Sequence, residues 1–589
     1  MANTLESSST VPSSSAPGRH IESTANLART PLWQTLPEFL SYEERVKLSF
    51  ERAKSVVRHY SKSITSLPIQ RVSLLGFTRV DCGGRTIRKC RTIGVSTQIR
   101  SLALDGSVGT LLTIHYNLCL GTIAKYLKKR PDLRPIVDKL QTFEWNGQYC
   151  LTELGHGLDV INMETRATQL PDGSFDLHTP NDLAAKFMPP TAPSGYPCIS
   201  IVHARLIVDG EDRGPKVFLV QLNDGFKMNT GISCKVLAPR GSARPVKHCL
   251  TYFDHVHLPA SALLSSPEKP KSVREAFFDN ISRVVSGTIS MGGLGVAGMR
   301  IASFVAAKYS LRRHVTDVSS KVPRPIISFS TQYTSVLSAV AQTLVLRAFS
   351  DYCHRLFVQA KDPSTKHFIA AVMKTTAIKA TSATTFELGD RCGAQGLAEV
   401  NQITVTLADG RGAAIAEGDV LVISIRFAID LLRNQVRVPP YLFPDSLLAK
   451  HERSLISSLR KSLAHAASHR DQTVETTILP LCQPLIEAIG ARLAYDAASG
   501  SLHKDILDLY IASAFKKDPA WYALNEGFDT LTQARMETEA ARKLLPRIHD
   551  LLEMLEVEPY VVAPIVSDDK WENYVEKLDT YGGTVMSKL

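Results

Sequence analysis

Between Gln148 and about Leu264 the chain changes its hydrophobic period, and that change constrains the fold more than any other feature. Short β-branched runs, "CISIVHARLIV" and "KVFLVQL", alternate there with turn signals such as "PDGS" and "NDG", the pattern of strands joined by tight turns. On both sides the period is helical. Upstream, "SYEERVKLSFERAKSVVRHYS" spaces apolar residues by three and four behind a serine cap, and "VGTLLTIHYNLCLGTIAKYL" predicts a buried helix. Downstream of "SSPEKPKS" come two long helical runs, "ISRVVSGTISMGGLGVAGMRIASFVAAKYSLRR" and "TQYTSVLSAVAQTLVLRAFSDYCHRL". In the first of them Gly292, Gly293, Gly295 and Gly298 would let neighbouring helices approach closely. Beyond the break "RVPPYLFPDS" the helical period resumes in "LISSLRKSLAHAASH" and "LTQARMETEAARKLLPRIHDLLEMLE". The order α, β, α, α, without a short repeat, predicts an α+β chain. Its 589 residues suffice for about three to four units of ~100–200 residues. The expected units are a disordered Ser-rich leader over 1–37, a helical domain over 38–147, a β domain over 148–268, a helical bundle over 269–438 and a second helical domain over 439–586.

Composition excludes more than it selects. With 44% hydrophobic and 21% charged residues the chain reads as an ordinary globular protein. The net charge of +11 is not concentrated. Its densest basic run, "KYLKKRPDLRP" at Lys125 to Pro135, lacks the interleaved aromatics of a nucleic-acid groove and reads as a solvated helix end. No nucleic-acid partner is expected, although a basic balance can attract nucleotides or coenzyme A. The ten cysteines form no Cys-x-x-Cys pair, so reduced, mostly buried thiols are expected. In "DHVHLP" at Asp254 to Pro259, His255 and His257 would share one face of a strand, but no third ligand is apparent nearby and no metal site is expected. No apolar run of about 18 residues is free of charge, so no membrane span is expected. The start, "MANTLESSSTVPSSSAPGRHIEST", has no apolar core of a secretory signal. The end, Ser587-Lys588-Leu589, is the tripeptide read by the peroxisomal import receptor.

Two short motifs carry chemistry. In "TELGHG", Gly155 and Gly157 remove side chains from a loop whose exposed N–H groups suit an anionic or carbonyl-rich ligand; a polar surface turn is the competing reading. In "AEGD", Glu417 precedes the apolar run "VLVISIRFAIDLL", and Gly418 would let the chain turn a carboxylate into a cavity. A glutamate favoured by the dipole at a helix start is the alternative.

"TELGHG" followed by "METRAT" at Met163 to Thr168, then a β domain flanked by helices, resembles the acyl-CoA oxidase branch of the acyl-CoA dehydrogenase family. Further matches follow in the family's order: "AAKYSLRRH" at Ala306 to His314, "IISFSTQY" at Ile326 to Tyr333, "RCGAQGL" at Arg391 to Leu397, and "AEGD" itself. The resemblance spans roughly Ser41 to Gln435 and implies an acyl-CoA dehydrogenase-like fold: an N-terminal helical domain, a central β domain, a four-helix bundle and the oxidases' extra C-terminal helical domain. It also implies FAD as cofactor, an acyl-CoA substrate desaturated between its α and β carbons, O2 as oxidant with H2O2 as product, a homodimer and a peroxisomal location. Glu417 matches the family's catalytic base. Thr152, with Gly155 and Gly157, matches the contacts to the flavin ring. Arg313, or its neighbour Arg312, matches an arginine on the FAD pyrophosphate, often across a subunit interface, and Gln332, Gly393 and Gly396 match contacts to the adenine half. Two adjacent arginines that complement a helix C-terminus, and a simple inter-helix turn at Gly393 to Gly396, are the alternatives there. The chain departs from the pattern at "KFMPPT", Lys186 to Thr191, at Ala394 and Gln395, and in "CKVLAPRGSARPVKH", which lacks the usual turn. These departures imply a specialised acyl chain, and they leave open a same-fold dehydrogenase with another electron acceptor or a non-catalytic paralogue acting as a heterodimer partner.

Overall fold

The computed structural model describes residues 25–65, 103–316, 318–319, 321–466, 468 and 471–583. Residues 1–24 of the expected 1–37 leader and the Ser587-Lys588-Leu589 terminus lie outside the described residues; the rest of that leader is ordered and not disordered as expected, because Pro31–Gln34 is helical and buries Trp33. Helix α1, Tyr42–Thr65, opens on a reciprocal cap: Glu44 accepts from Ser41 N at 2.9 Å, and Glu44 N donates to Ser41 Oγ at 3.4 Å, the S-x-x-E arrangement that satisfies two otherwise unpaired donors. Helix α2, Gly106–Leu112, starts from Asp105, which caps Ser107 N and Val108 N. The predicted single buried helix then departs from regularity: Thr113–Leu120 is π-helical before α3, Gly121–Tyr126, resumes. Such wider turns re-aim side chains and are frequent at functional sites. Helix α4, Arg134–Gln141, completes the N-terminal layer.

Nine strands follow: β1 Asn146–Cys150, β2 Arg166–Gln169, β3 Phe175–His178, β4 Lys186–Phe187, β5 Cys198–Val208, β6 Glu211–Asn223, β7 Ile232–Val236, β8 Cys249–Phe253 and β9 Val256–Leu258. The larger sheet runs β1-β5-β2-β3-β9 with β6 also on β5, and the smaller runs β4-β8-β7. β5 is near-continuously apolar because both of its faces are covered. Ile199 and Ile201 pack toward α2 and the π-helical segment, whereas Cys198, Val202, Ala204 and Leu206 face the inside of the β domain, the period-two alternation of a strand.

The long helices are α5 Arg283–Arg312, α6 Ser330–Gln359, α7 Pro363–Arg391, α8 Ile403–Ile415 and α9 Val420–Leu432. Added Cβ atoms on Gly292 and Gly295 would meet α7 at Lys374 Cα, 3.1 Å, and Ile378 Cδ1, 2.7 Å, and one on Gly298 would meet Thr406 Cγ2 of α8 at 2.8 Å; the predicted close approach is real. Among the described residues α5 is long and apolar enough to cross a membrane, but 94% of that apolar window is buried inside the fold. The apolar core of the bundle runs on through Leu448, Ile456, Leu485, Ile489 and Tyr560, so the two helical units expected on either side of residue 438 share one core. The eight described cysteines are all free, seven of them buried.

Candidate active site

Glu417 sits in the turn between α8 and α9, at φ 56°, and Gly418 follows at φ 99°. Two consecutive left-handed residues reverse the chain, at a cost that only glycine escapes. Asp419, not Glu417, caps α9, accepting from Leu421 N and Val422 N, so the helix-start role is taken and Glu417 is released for another. Its carboxyl lies directly on Gly287 of α5: a Cβ there would stand 1.4 Å from Oε2 and 1.9 Å from Cδ. The turn is clamped from two sides. Lys374 of α7 donates through Nζ to Ala416 O and Gly418 O, each at 2.5 Å, and Thr288 Oγ1 donates to Glu417 O at 2.7 Å.

Asn117, from the π-helical segment, reaches the same carboxyl: Nδ2 donates to Glu417 Oε2 at 3.4 Å and to Arg283 O at 3.1 Å. Arg283 returns two bonds, Nη2 to Asn117 Oδ1 at 2.6 Å and Nε to Asn117 O at 3.0 Å. Burial pushes the Glu417 carboxyl up to about 8, while the Lys374 ammonium and the Arg283 guanidinium pull it back. Burial equally lowers Lys374 to about 7 and Arg283 to about 10, against the Glu417 charge. A carboxyl balanced near neutrality and half-buried is suited to take a proton from a weak carbon acid. Gly287→Ala is therefore expected to displace the Glu417 side chain and remove any proton transfer it performs, at least 100-fold, with an unchanged circular dichroism spectrum; steady-state turnover checks it.

From the β domain, Tyr149 at the end of β1 approaches this group. Burial first, and Glu417 second, push its phenol well above the ordinary value, and His203 Nε2 lies 2.9 Å from its hydroxyl. Burial, with Lys186 and Lys125 adding, lowers His203 to about 3, so that imidazole is neutral. Three residues beyond Tyr149 begins the "TELGHG" loop. Its organiser is Glu153, which sequence reasoning passed over: the carboxylate meets Lys186 Nζ at 2.9 Å with neither side chain exposed, and accepts from Glu164 N at 2.7 Å and Thr165 N at 2.9 Å. Thr152 is half-buried, its carbonyl held by Phe187 N at 2.8 Å. Gly155 is required by packing, since a Cβ would lie 2.9 Å from Leu183 Cβ; nothing lies within 4 Å of one on Gly157. His156 points away, to Glu164 Oε1 at 3.0 Å.

The remaining predicted residues gather elsewhere. Gln332 Nε2 donates to Ser310 Oγ at 2.8 Å and to Arg391 O at 2.9 Å, which ties the ends of α5 and α7 together beside Gly393 and Gly396. Gly393 has φ 58° and open space where a Cβ would be, whereas Gly396 packs on Gly389 O. Arg312 is bonded to Asp568 through Nε at 2.6 Å, leaving the exposed Arg313 as the arginine turned outward. Arg313 lies 26 residues beyond Gly287 along α5, about 39 Å of helical rise. The predicted residues thus fall into two clusters, one around Glu417 and β1 and one at the far end of α5. Asn117, Arg283, Lys374 and Gly287 were missed. The only signal for Asn117 and Lys374 was a polar or charged residue inside an apolar run, "IHYNLC" and "AVMKTTA". A cavity of about 790 Å³ between α4 and the larger sheet, lined by Ile136, Trp145, Leu219 and Met228 among others, includes none of these residues.

A helical layer, a β domain and a bundle that meet at a carboxylate on the turn before the last bundle helix define the acyl-CoA dehydrogenase-like fold. Residues 285–432 match the acyl-CoA oxidase C-alpha1 domain, and by fold and by this domain the chain is related to the acyl-CoA oxidases. Acyl-coenzyme A oxidase 2, peroxisomal, of Arabidopsis thaliana is 24% identical over 362 residues, 56% of this chain and 51% of that protein; the chain spans about half the length of such curated relatives. The crystal structure of acyl-CoA oxidase3 from Yarrowia lipolytica superimposes with a TM-score of 0.75 at 17% identity, covering 95% of this chain and 88% of that one. Acyl-CoA oxidase-2 of Caenorhabditis elegans, solved with FAD, ascaroside-CoA and ATP, gives 0.72 at 17% identity, covering 94% and 89%.

Proposed function

We propose that the protein is a FAD-dependent acyl-CoA oxidase that converts an acyl-CoA to the 2-trans-enoyl-CoA. The observation that carries this reading is the Glu417 carboxyl, seated on Gly287, clamped by Lys374 and raised to about 8 by burial. The α proton of a thioester is weakly acidic, so its removal needs a base fixed at contact distance and desolvated enough to want the proton. Glu417 is held in place by its clamped turn and desolvated, and Asn117 orients it through Oε2. FAD, when bound, would supply the hydride acceptor and the route of electrons to O2, with H2O2 as the product.

The residues fit that group. Around Thr152 the loop leaves Leu154, Leu158 and Leu183 exposed, apolar surface that a flat ring would cover. At the far end of α5, Arg391 Nε is buried without a hydrogen-bond partner beside the open Gly393 and the outward Arg313, a donor set suited to the phosphates and adenine half. No single flavin dinucleotide spans the roughly 39 Å of helix between the clusters. The proposed assembly is therefore a homodimer in which one protomer's Arg313 and Gln332 serve its partner's cofactor. Relatives named as peroxisomal acyl-coenzyme A oxidases support a peroxisomal location, with an import receptor as the proposed partner. The altered Lys186 to Thr191 loop suits a specialised acyl chain.

Purified protein should be yellow, bleach anaerobically with a subset of a panel of acyl-CoAs, and form H2O2 stoichiometrically with enoyl-CoA in air. Bleaching without peroxide would identify a dehydrogenase with another acceptor, and a colourless protein a non-catalytic paralogue.

A further inference from the structure

We propose that the end of β3 and the β8–β9 turn form a zinc-class metal site, with His178, Asp254 and His255 as ligands and Asp176 as the residue that orients His255. The site arises from strand register. β3 and β9 pair antiparallel, with Asp176 opposite His257 and Leu177 opposite Val256, so the next step outward sets His178 opposite His255. Their rings stack at 4.1 Å between centroids and 18° between planes. Asp254 precedes His255 in the turn, and one ligating atom from each of the three residues lies within 4.8 Å of the others. "DHVHLP" thus acquires its missing third ligand from the neighbouring strand, where no reading of local spacing finds it.

Three observations point to a ligand here beyond mere proximity. His178 Nδ1 is buried and has no hydrogen-bond partner, 3.9 Å from Asp254 Oδ1, and Asp176 Oδ1 is buried and unpartnered too. Buried polar atoms are ordinarily satisfied, and the orphan His178 nitrogen within a cluster of ligand atoms asks for a partner. His255 adopts φ 49°, an uncommon conformation for a residue with a side chain, and it brings the ring over His178. Asp176 Oδ2 stands 2.9 Å from His255 Nδ1, the carboxylate–histidine arrangement that fixes the tautomer of a metal-bound imidazole. Two imidazoles and a carboxylate, with water in the fourth position, suit Zn2+ over the hard cations Mg2+ and Ca2+. The Asp254 and His255 side chains are 84% and 65% exposed, so both can draw in to zinc–nitrogen distances of about 2.0–2.1 Å. The site lies on the far edge of the larger sheet from β1, about 19 Å away across four strand spacings, and is independent of the Glu417 cluster.

The test is Zn2+ titration of the full-length protein by calorimetry after treatment with a chelator, with Co2+ as a visible-absorption reporter of tetrahedral coordination. One equivalent should bind. His178→Ala and His255→Ala should each abolish that equivalent, and Asp176→Asn should weaken it about 10–100-fold, as loss of a supporting carboxylate does. His257→Ala should leave it unchanged. Near-UV circular dichroism confirms that each variant is folded. Absence of a stoichiometric site, binding that survives His178→Ala, or loss confined to His257→Ala would each overturn the assignment.

Discussion

On the proposed function, Glu417→Gln is expected to bind FAD and acyl-CoA as the parent protein would and to fail to bleach, with turnover reduced about 10²–10⁴-fold. Gln keeps the volume over Gly287 and an acceptor for Asn117, so the geometry survives and only the proton acceptor is lost. The pH profile separates this from a steric effect. The base must be a carboxylate, and its pKa stands at about 8; the parent rate should rise through neutrality and level off above that value, whereas the residual rate of the variant should be flat. Stability moves the other way. The folded pKa lies above the ordinary value of 4.5, so Glu417 favours the folded state fully below pH 4.5, and that contribution is lost as pH rises through about 8. Glu417→Gln should therefore melt higher than the parent at pH 8.5 and near it at pH 4.5. A variant that bleaches at the parent rate would remove Glu417 from the mechanism.

The fold was legible because each of its layers writes a different period. The β5 run "CISIVHARLIV" and the serine cap at Ser41 are local signals, and both appear as predicted. The bounds of the site were legible in the same way: Gly418 marks the reversal beside Glu417, and "TELGHG" marks the loop after β1. What local reasoning could not supply was contact between residues far apart in the chain. Gly287 is one small residue among several on α5, and only the fold shows that the Glu417 carboxyl occupies the space of its missing side chain. Asn117 reads as part of a buried helix until the π-helical turn aims it at Glu417 across 300 residues. Gly155 has a packing reason that its place in a ligand-suited loop does not reveal: Leu183 fills the space a side chain would need.

Lys186→Met is expected to cost about 3–5 kcal/mol at pH 7, because it leaves the Glu153 carboxylate buried and without its counter-ion. Both side chains are wholly buried at 2.9 Å separation. Burial pushes Glu153 up, but Lys186 and the bonds from Thr165 and Glu164 outweigh it and hold the carboxyl below its ordinary value; burial holds Lys186 below its own, against the Glu153 charge. A depressed carboxyl gives stability that is present above pH 4.5 and lost as pH falls through the folded value. Without Lys186 only burial and the two backbone donors remain, so Glu153 can take a proton at mildly acidic pH, and the gap in melting temperature between Lys186→Met and the parent should narrow from pH 8 to pH 5. A gap that stays constant would mean that the lysine stem, and not its charge, supports the loop. Because Glu153 holds the backbone of Glu164 and Thr165 against the strand of Lys186, the same substitution should loosen Thr152 and lower FAD occupancy, read from the ratio of flavin to protein absorbance. That result would explain why a motif recognised by its glycines depends on a glutamate and a lysine 33 residues apart.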